Sequence, residues 1–451
     1  MSDTPHPAAP APSVALQAAP TGRVVSIDIL RGLAILWVIV YHLYGDMTYR
    51  TDFPALYPRF RDQVLDGRPL AALTAFGELI LGQGYLGVAL FMMLSGLSLA
   101  MNAELRGEPG ALKGYATRFR RVLPVYWAGV LLILSSVAFV ALLQVWIDGG
   151  SFRDQWFDVR ISAWARADIH PDDVWWALSV VPWVFRDKLD TVPVGSLWFV
   201  ELLLQYYLIF PFALMALRKA GPWRFALAGV ALTLALRAIY VPWAFATIQN
   251  GHATLYLWAL APFRGWEFFI GMSIGYLLAR RRDDVSDWVR SPFDTSGLLV
   301  IGVLCVMGGV ILAPWSDQWL VVGDVWIHVG LALVIVPLLF KAPGWLEASA
   351  PARALVFLGV VSFTALIIND MMRYIASFLR IDGVTGPPWW LFLWVVYVPI
   401  GTLLAYPLAA VFGLLPQQRA RASTPAVAEP SKKRRRGATA AGVRPAPRRA
   451  P

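Results

Sequence analysis

The sequence predicts an all-α protein, a polytopic transmembrane helix bundle of about ten spans with both termini in the cytoplasm. Three observations predict it. The 451-residue chain is 58% hydrophobic and only 15% charged, where a soluble domain carries roughly 25% charged residues. Its apolar residues are gathered into runs of about 20, the length that crosses a hydrocarbon core about 30 Å thick. Its Lys and Arg alternate between dense and sparse connecting loops, as the positive-inside rule requires. Length alone would allow about three soluble domains, but the apolar runs exclude that, along with fibrous, disordered and nucleic-acid-binding classes. Cys305 is the single cysteine, so no intramolecular disulfide can form.

The runs fall at approximately 26–45, 83–102, 122–146, 196–217, 223–245, 256–279, 296–313, 325–340, 354–378 and 389–412. Leu70 to Leu81 and Val174 to Phe185 are shorter and suit interfacial or re-entrant helices. With the N-terminus inside, one side receives Arg23, the cluster Arg106, Lys113, Arg118, Arg120 and Arg121, then Arg218, Lys219, Arg224, Arg280, Arg281, Arg282, Arg290, Lys341 and Arg353. The basic residues of the other side sit mainly in two long loops that also carry many Asp. Residues 1–22 are rich in Ala and Pro and are expected to be disordered; they do not read as a signal peptide. Residues 23–415 form the membrane domain. Residues 416–451 form a disordered cytoplasmic tail whose basic run, Lys432–Arg436, is drawn to anionic lipid and not to nucleic acid.

An ionisable group at membrane depth costs at least ~2.5–3.5 kcal/mol, so such groups mark interior sites. Here they are Asp28, Arg31 and His42, then Glu201, Arg237, Arg264, Glu267, His328, Asp370 and Arg373. Arg31 and His42 stand eleven residues apart, almost three helical turns, so they share one face about 16 Å apart along the axis. Asp46 follows His42 by one turn, where a carboxylate can orient an imidazole. Glu201 enters its span at a depth close to that of His42, and Arg264 and Glu267 reach the same level from a third helix. The spacing reads as a chamber lined by three helices. The alternative is a polar cluster that ties helices together. The loop near 146–195 interleaves Trp146, Trp156, Trp164, Trp175, Trp176 and Trp183 with Asp residues. Aromatic faces with carboxylates suit sugar recognition, and an interfacial aromatic belt explains the tryptophans equally well. With five His and one Cys, no metal site is expected.

Five stretches, in order, resemble the membrane acyltransferase-3 family. "SIDILRGLAILWVIVYHLY" resembles its first helix, with the Arg-x10-His signature at Arg31 and His42. "GYLGVALFMMLSGLSLA" is similar to its second helix, with Ser95 and Gly96. "YATRFRRVLPVYW" is similar to its basic loop running into Pro124 and Tyr126. "GSLWFVELLLQYYLIFP" carries Glu201, Tyr207 and Pro211, and "RGWEFFIGMSIGYLLA" carries Arg264, Glu267 and Gly271. Two departures stand out. The fourth motif reads Ser-Leu-Trp where the family has Trp-Ser-Leu, and Asn369 in "VSFTALIIND" occupies a late position that is often His.

The resemblance implies transfer of an acyl group, usually acetyl, from cytoplasmic acyl-CoA to a hydroxyl of an extracytoplasmic glycan or lipid-linked sugar. No permanently bound cofactor is implied. On that reading His42 is the general base or a transient acyl carrier, with Asp46 or Glu201 orienting it. Arg31, Arg118, Arg120 and Arg121 hold the donor's phosphates. Arg264 and Glu267 face the acceptor, with Ser95, Tyr126 and Asn369 as further substrate contacts. Many relatives also carry an extracytoplasmic hydrolase-like domain that this sequence does not show, which leaves room for a separate extracytoplasmic partner. The location implied is the bacterial cytoplasmic membrane. The rival readings are a secondary transporter or glycolipid flippase, for which no clear inverted repeat is visible, and a non-catalytic relative, prompted by Asn369.

Overall fold

A computed structural model of the chain describes residues 25–47, 56–107, 111–160, 166–167, 169–182, 195–247, 255–280, 292–312, 319–341, 349–378 and 393–415. The N-terminal segment 1–22, the tail 416–451, and Trp164, Asp168 and Trp183 of the long loop lie outside the described residues. The described chain is helical apart from a two-residue antiparallel ladder that pairs Val159 with Ala167. The helices are α1 (Val25–Met47), α2 (Leu56–Leu65), α3 (Pro69–Gly82), α4 (Leu86–Arg106), α5 (Ala111–Asp148), α6 (Phe152–Trp156), α7 (Pro171–Ser179), α8 (Trp198–Ala220), α9 (Pro222–Thr247), α10 (Leu255–Ala259), α11 (Ala261–Arg280), α12 (Pro292–Leu312), α13 (Trp319–Lys341), α14 (Ala350–Val360), α15 (Ser362–Phe378) and α16 (Val398–Val411).

Among the described residues five helices are long and apolar enough to cross a membrane: α1, α4, α5, α8 and α9. The bent pair α14–α15 makes a sixth if it counts as one span, and α3, α12, α13 and α16 contain shorter apolar segments. Two expected spans are interrupted. The run at 256–279 is split between α10 and α11 at Leu260, and the run at 354–378 turns by 83° at Val361, between α14 and α15. Hydropathy records neither break, because both sides of each stay apolar. Leu227, Leu232, Ile239 and Trp243 of α9, and Val300, Ile301, Val303 and Leu304 of α12, are exposed. In a bilayer these side chains face acyl chains, where apolar exposure costs nothing.

Small residues set the tightest crossings. A Cβ on Gly32 of α1 would lie 2.0 Å from the Leu355 carbonyl oxygen of α14, and one on Gly359 of α14 would lie 2.0 Å from the Asp28 carbonyl oxygen. These helices therefore touch backbone to backbone. On its other side α1 meets α4, where Gly87 admits Val38. Helix α1 is thus held between α4 and α14, and its interior stripe from Ile27 through Tyr44 is buried.

One ionic clamp joins three helix ends. The Glu104 side chain, 1% exposed near the end of α4, accepts hydrogen bonds from Arg218 Nε of α8 (2.6 Å) and Arg280 Nε of α11. The carboxylate is shielded, but the Arg218 and Arg280 side chains are 41% and 57% exposed, so water screens both pairs. Glu104→Gln keeps the shape and removes the charge. It should lower thermal stability by about 1 kcal/mol, read as an earlier melting transition of the detergent-solubilised protein. Asp66→Asn, a charge removal at a side chain 52% exposed, should not.

Candidate functional site

Helix α1 delivers both signature residues to protein. Arg31 Nη2 donates to Ser98 Oγ of α4 at 2.9 Å, and its Nη1 lies 4.0 Å from Asp28 Oδ1 one turn back. Tyr207 of α8 lies within electrostatic reach of Arg31, Arg118 and Arg121. Arg118 also stacks on the Phe210 ring at 4.6 Å, while Arg120 and Arg121 are exposed near the start of α5. Of the four cations named from the sequence, Arg31, Arg118 and the exposed Arg121 lie within electrostatic reach of Tyr207, and Arg120 does not share that neighbour.

At the other end of α1, His42 Nε2 lies 3.2 Å from Ser196 Oγ. Ser196 sits in a 3-10 turn, Gly195–Leu197, that opens α8. Gly195 has φ +47°, in the left-handed region, and a Cβ there would stand 3.1 Å from Asp370 Oδ2. The positive φ favours glycine, and the close carboxylate adds to that preference. The turn lets α15 approach. Ser196 Oγ donates to Asp370 Oδ1 at 2.7 Å, and the Ser196 backbone N–H donates to Asp370 Oδ2 at 2.7 Å. Arg373 Nη1, one turn on, donates to Asp370 Oδ1 at 3.1 Å. Asp370 is 0% exposed. Three elements distant in sequence therefore converge on one chain, Arg373–Asp370–Ser196–His42.

Glu201 takes a different partner from the one its depth suggested. Its Oε1 lies 2.7 Å from the Tyr126 hydroxyl of α5, which also lies 2.8 Å from the Ala177 carbonyl oxygen of α7. Glu201 is buried, and its Oε2 meets no hydrogen-bond partner. The Tyr126 hydroxyl thus ties α7 to α5 beside Glu201, assisted by Trp127 Nε1 donating to the Leu178 carbonyl at 3.0 Å. Asp46 lies in the last turn of α1, and its side chain is outside the described residues. Ser95 donates to the Phe91 carbonyl of its own helix at 2.8 Å. Asn369 accepts from the Tyr397 hydroxyl at 3.1 Å, and its Nδ2 is buried without a hydrogen-bond partner.

A second polar cluster stands beside the first. Arg264 donates from Nε to Glu267 Oε1 at 2.8 Å, and His328 Nε2 of α13 lies 3.0 Å from the same oxygen. Arg237 of α9 stacks on Trp266 at 4.4 Å and donates to the Phe263 carbonyl at 2.7 Å. Arg237, Arg264, Glu267 and His328, with Tyr85 and Trp258, line a small, partly open cavity of about 10 Å³, room for about one water molecule. Glu267 Oε2 is buried there without a hydrogen-bond partner. Aromatic edges lead from His42 to this cavity: His42 to Tyr41 at 5.4 Å, Tyr41 to Tyr85 at 6.4 Å, and Tyr85 to Trp258 at 5.3 Å. Arg264 also lies 5.8 Å over Trp198, two residues past Ser196.

The stretch between Arg31 and His42 is filled. Ala34, Ile35 and Val38, which share or flank their face, are all buried. Val38 Cγ2 lies 2.8 Å from where a Gly87 Cβ would stand, so α1 and α4 are in contact at that level. Among the described residues this contact stands on the straight line between Arg31 and His42. A substrate arm reaching His42 from the Arg31 end must run beside this contact or part it.

Ser196 is the functional candidate that sequence reasoning passed over. A search for charges at membrane depth does not see a neutral hydroxyl. The signal available was a Gly-Ser pair at the mouth of an apolar helix, five residues before Glu201.

No curated protein and no solved structure matches the chain. A family model described as an acyltransferase domain matches residues 24–413, which takes in α1 to α16 and every polar group of both clusters. By that match, and by the Arg31–His42 pair that its first helix turns toward protein, the chain belongs to the acyltransferase-3 family of membrane proteins.

Proposed function

We propose that the protein is an O-acyltransferase of the bacterial cytoplasmic membrane, with both termini inside. It would move an acyl group, acetyl being the first candidate, from cytoplasmic acyl-CoA to a hydroxyl of an extracytoplasmic glycan or lipid-linked sugar. The observation that carries this reading is the hydrogen-bonded chain from Asp370 through Ser196 to His42, set inside a matched acyltransferase domain. Acyl transfer to an alcohol needs a base at the reacting oxygen. In the step proposed, the acceptor oxygen bonds to the thioester carbonyl carbon and the C–S bond breaks. His42 takes the acceptor's proton and passes it to the departing thiolate.

The other groups take roles that fit their places. Arg31, Arg118 and Arg121 lie within electrostatic reach of Tyr207, and guanidinium groups grip phosphate bidentately, which suits the nucleotide end of CoA. Arg264 and Glu267 line the small cavity that aromatic contacts connect to His42, and it would have to widen before Glu267 Oε2 could accept from a sugar hydroxyl. Exposed Trp175 on α7 offers an aromatic face to a glycan on its way in. The basic tail would bind anionic lipid, and a separate extracytoplasmic protein would present or receive the glycan.

The test is mass spectrometry of the cell's surface glycans with and without the gene, joined to a purified assay with labelled acyl-CoA. The expected result is ester-linked acyl groups that vanish with the gene and return with the plasmid-borne chain. Identical acylation in both strains, with no labelled product in the purified assay, overturns the reading. Within it, Arg31→Gln should raise KM for acyl-CoA about tenfold, the worth of one charge-assisted contact at ~1.4 kcal/mol. It should leave kcat within about twofold.

A further inference from the structure

We propose that Asp370 and Ser196 hold His42 in the tautomer protonated on Nε2, which makes Nδ1 the atom that takes the acceptor's proton. The second half of this statement rests on the acyltransferase reading; the first half does not.

The argument is a count of hydrogens. Asp370 and Arg373 form an ion pair at 3.1 Å, neutral when the carboxylate is ionised. An ionised carboxylate only accepts. The groups around Asp370 are all donors: Arg373 Nη1, the Ser196 backbone N–H and the Ser196 hydroxyl. Ser196 has one hydroxyl proton, and the 2.7 Å contact to Asp370 Oδ1 takes it. What Ser196 turns toward His42 is then a lone pair. The 3.2 Å approach of His42 Nε2 is a hydrogen bond only if Nε2 carries the proton. A neutral imidazole has one N–H, so the basic lone pair lies on Nδ1.

Two consequences separate this arrangement from other roles for the same residues. Ser196 is a positioning residue and not a nucleophile, because its proton is given to Asp370 and its histidine neighbour is a donor to it. No acyl ester forms on Ser196. Asp370 acts through Ser196, so its removal disturbs the tautomer and not the binding of either substrate. Asp370→Asn is the sharpest change. An amide that keeps its oxygen on the Ser196 N–H turns its NH₂ toward Ser196 Oγ. The Ser196 proton then swings to His42 Nε2 and drives the imidazole proton to Nδ1.

The experiment uses the full chain in nanodiscs with ¹⁵N-labelled histidine, His42 being identified by its absence in His42→Gln. The nitrogen shifts of a neutral imidazole distinguish the two tautomers directly. The expected result is an Nε2–H tautomer in the native protein, a switch to Nδ1–H in Asp370→Asn, and loss of preference in Ser196→Ala. Ser196→Thr, which keeps the hydroxyl, should restore the native spectrum. In the labelled acyl-CoA assay Asp370→Asn should lower kcat by about 10²–10⁴-fold, the scale of a wrong tautomer elsewhere, with KM within about twofold. An Nδ1–H tautomer in the native protein, or an acyl ester trapped on Ser196, overturns the proposal. If the native protein transfers no acyl group, the spectra still decide the tautomer, and only the function is lost. If Asp370→Asn fails to fold, the native, Ser196→Ala and Ser196→Thr spectra carry the decision.

Discussion

His42→Gln should insert, fold and bind acyl-CoA, and transfer acyl groups about 10²–10⁴-fold more slowly, the range a positioned general base contributes. That corresponds to about 3–5 kcal/mol in the barrier. Glutamine is the informative replacement. It matches the imidazole roughly in length, and its amide can still donate to Ser196 Oγ, but it cannot take a proton. The fold does not depend on the ring. His42 is only half-buried, and α1 is secured elsewhere by the close approaches of Gly32 and Gly359 to neighbouring backbone. Melting temperature and extraction yield should therefore stay near native while turnover collapses. The checks are turnover with labelled acyl-CoA and the ester content of surface glycans in a complemented deletion strain. Native turnover from His42→Gln would move the base elsewhere; buried Glu267, whose Oε2 has no hydrogen-bond partner, would be next. A loss of folded protein would make His42 a structural residue.

The helices were legible because a bilayer imposes a length and an apolar composition that a linear scan detects. The 3.6-residue period also fixes the shared face of Arg31 and His42 before any neighbour is known. What the scan cannot see is what stands opposite. Val38 lies on the line between the two residues, and Gly87 of α4 lets it pack tightly there, so α1 meets α4 between Arg31 and His42. The bend at Val361 leaves hydropathy unchanged on both sides. Its traces were local, Gly359 lying on the Asp28 carbonyl of α1 and Ser362 starting α15. Glu201 drew attention by its charge, yet the structure engages it with Tyr126, and the group on His42 is the uncharged Ser196. Long-range pairs such as Ser196 with Asp370, 174 residues apart, follow from how α8 and α15 pack, not from either segment's own pattern.

Gly271→Leu should abolish folded protein, and Gly271→Ala should cost about 2–4 kcal/mol, the upper range for overpacking a tight core. Helices α4 and α11 meet along a ladder of glycines. A Cβ on Gly271 would stand 2.0 Å from the Met93 carbonyl oxygen, one on Gly275 would stand 2.1 Å from that of Leu97, and one on Gly96 would stand 2.4 Å from that of Phe268. Each obstacle is backbone, so no rotamer change relieves it. Within a bilayer, lipid tails are as apolar as the helices, and close van der Waals packing of small residues is what holds the pair together. Spreading the axes by even about 1 Å forfeits a quarter to a half of each contact's attraction. The same shift moves Arg264 and Glu267, two turns and one turn before Gly271 on α11, away from Tyr85 and from His42 beyond it. Any Gly271→Ala protein that does fold should therefore turn over slowly, because one misplaced ångström at a reacting centre can cost about 10²-fold. Gly77→Ala on α3, where a Cβ meets nothing within 4 Å, is the matched control and should behave as native. The readouts are monodisperse yield on size exclusion, melting temperature and turnover. Native-like yield from Gly271→Leu would mean that α4 and α11 stand further apart in the membrane, and that the wall joining the Arg264 cavity to His42 has a different shape.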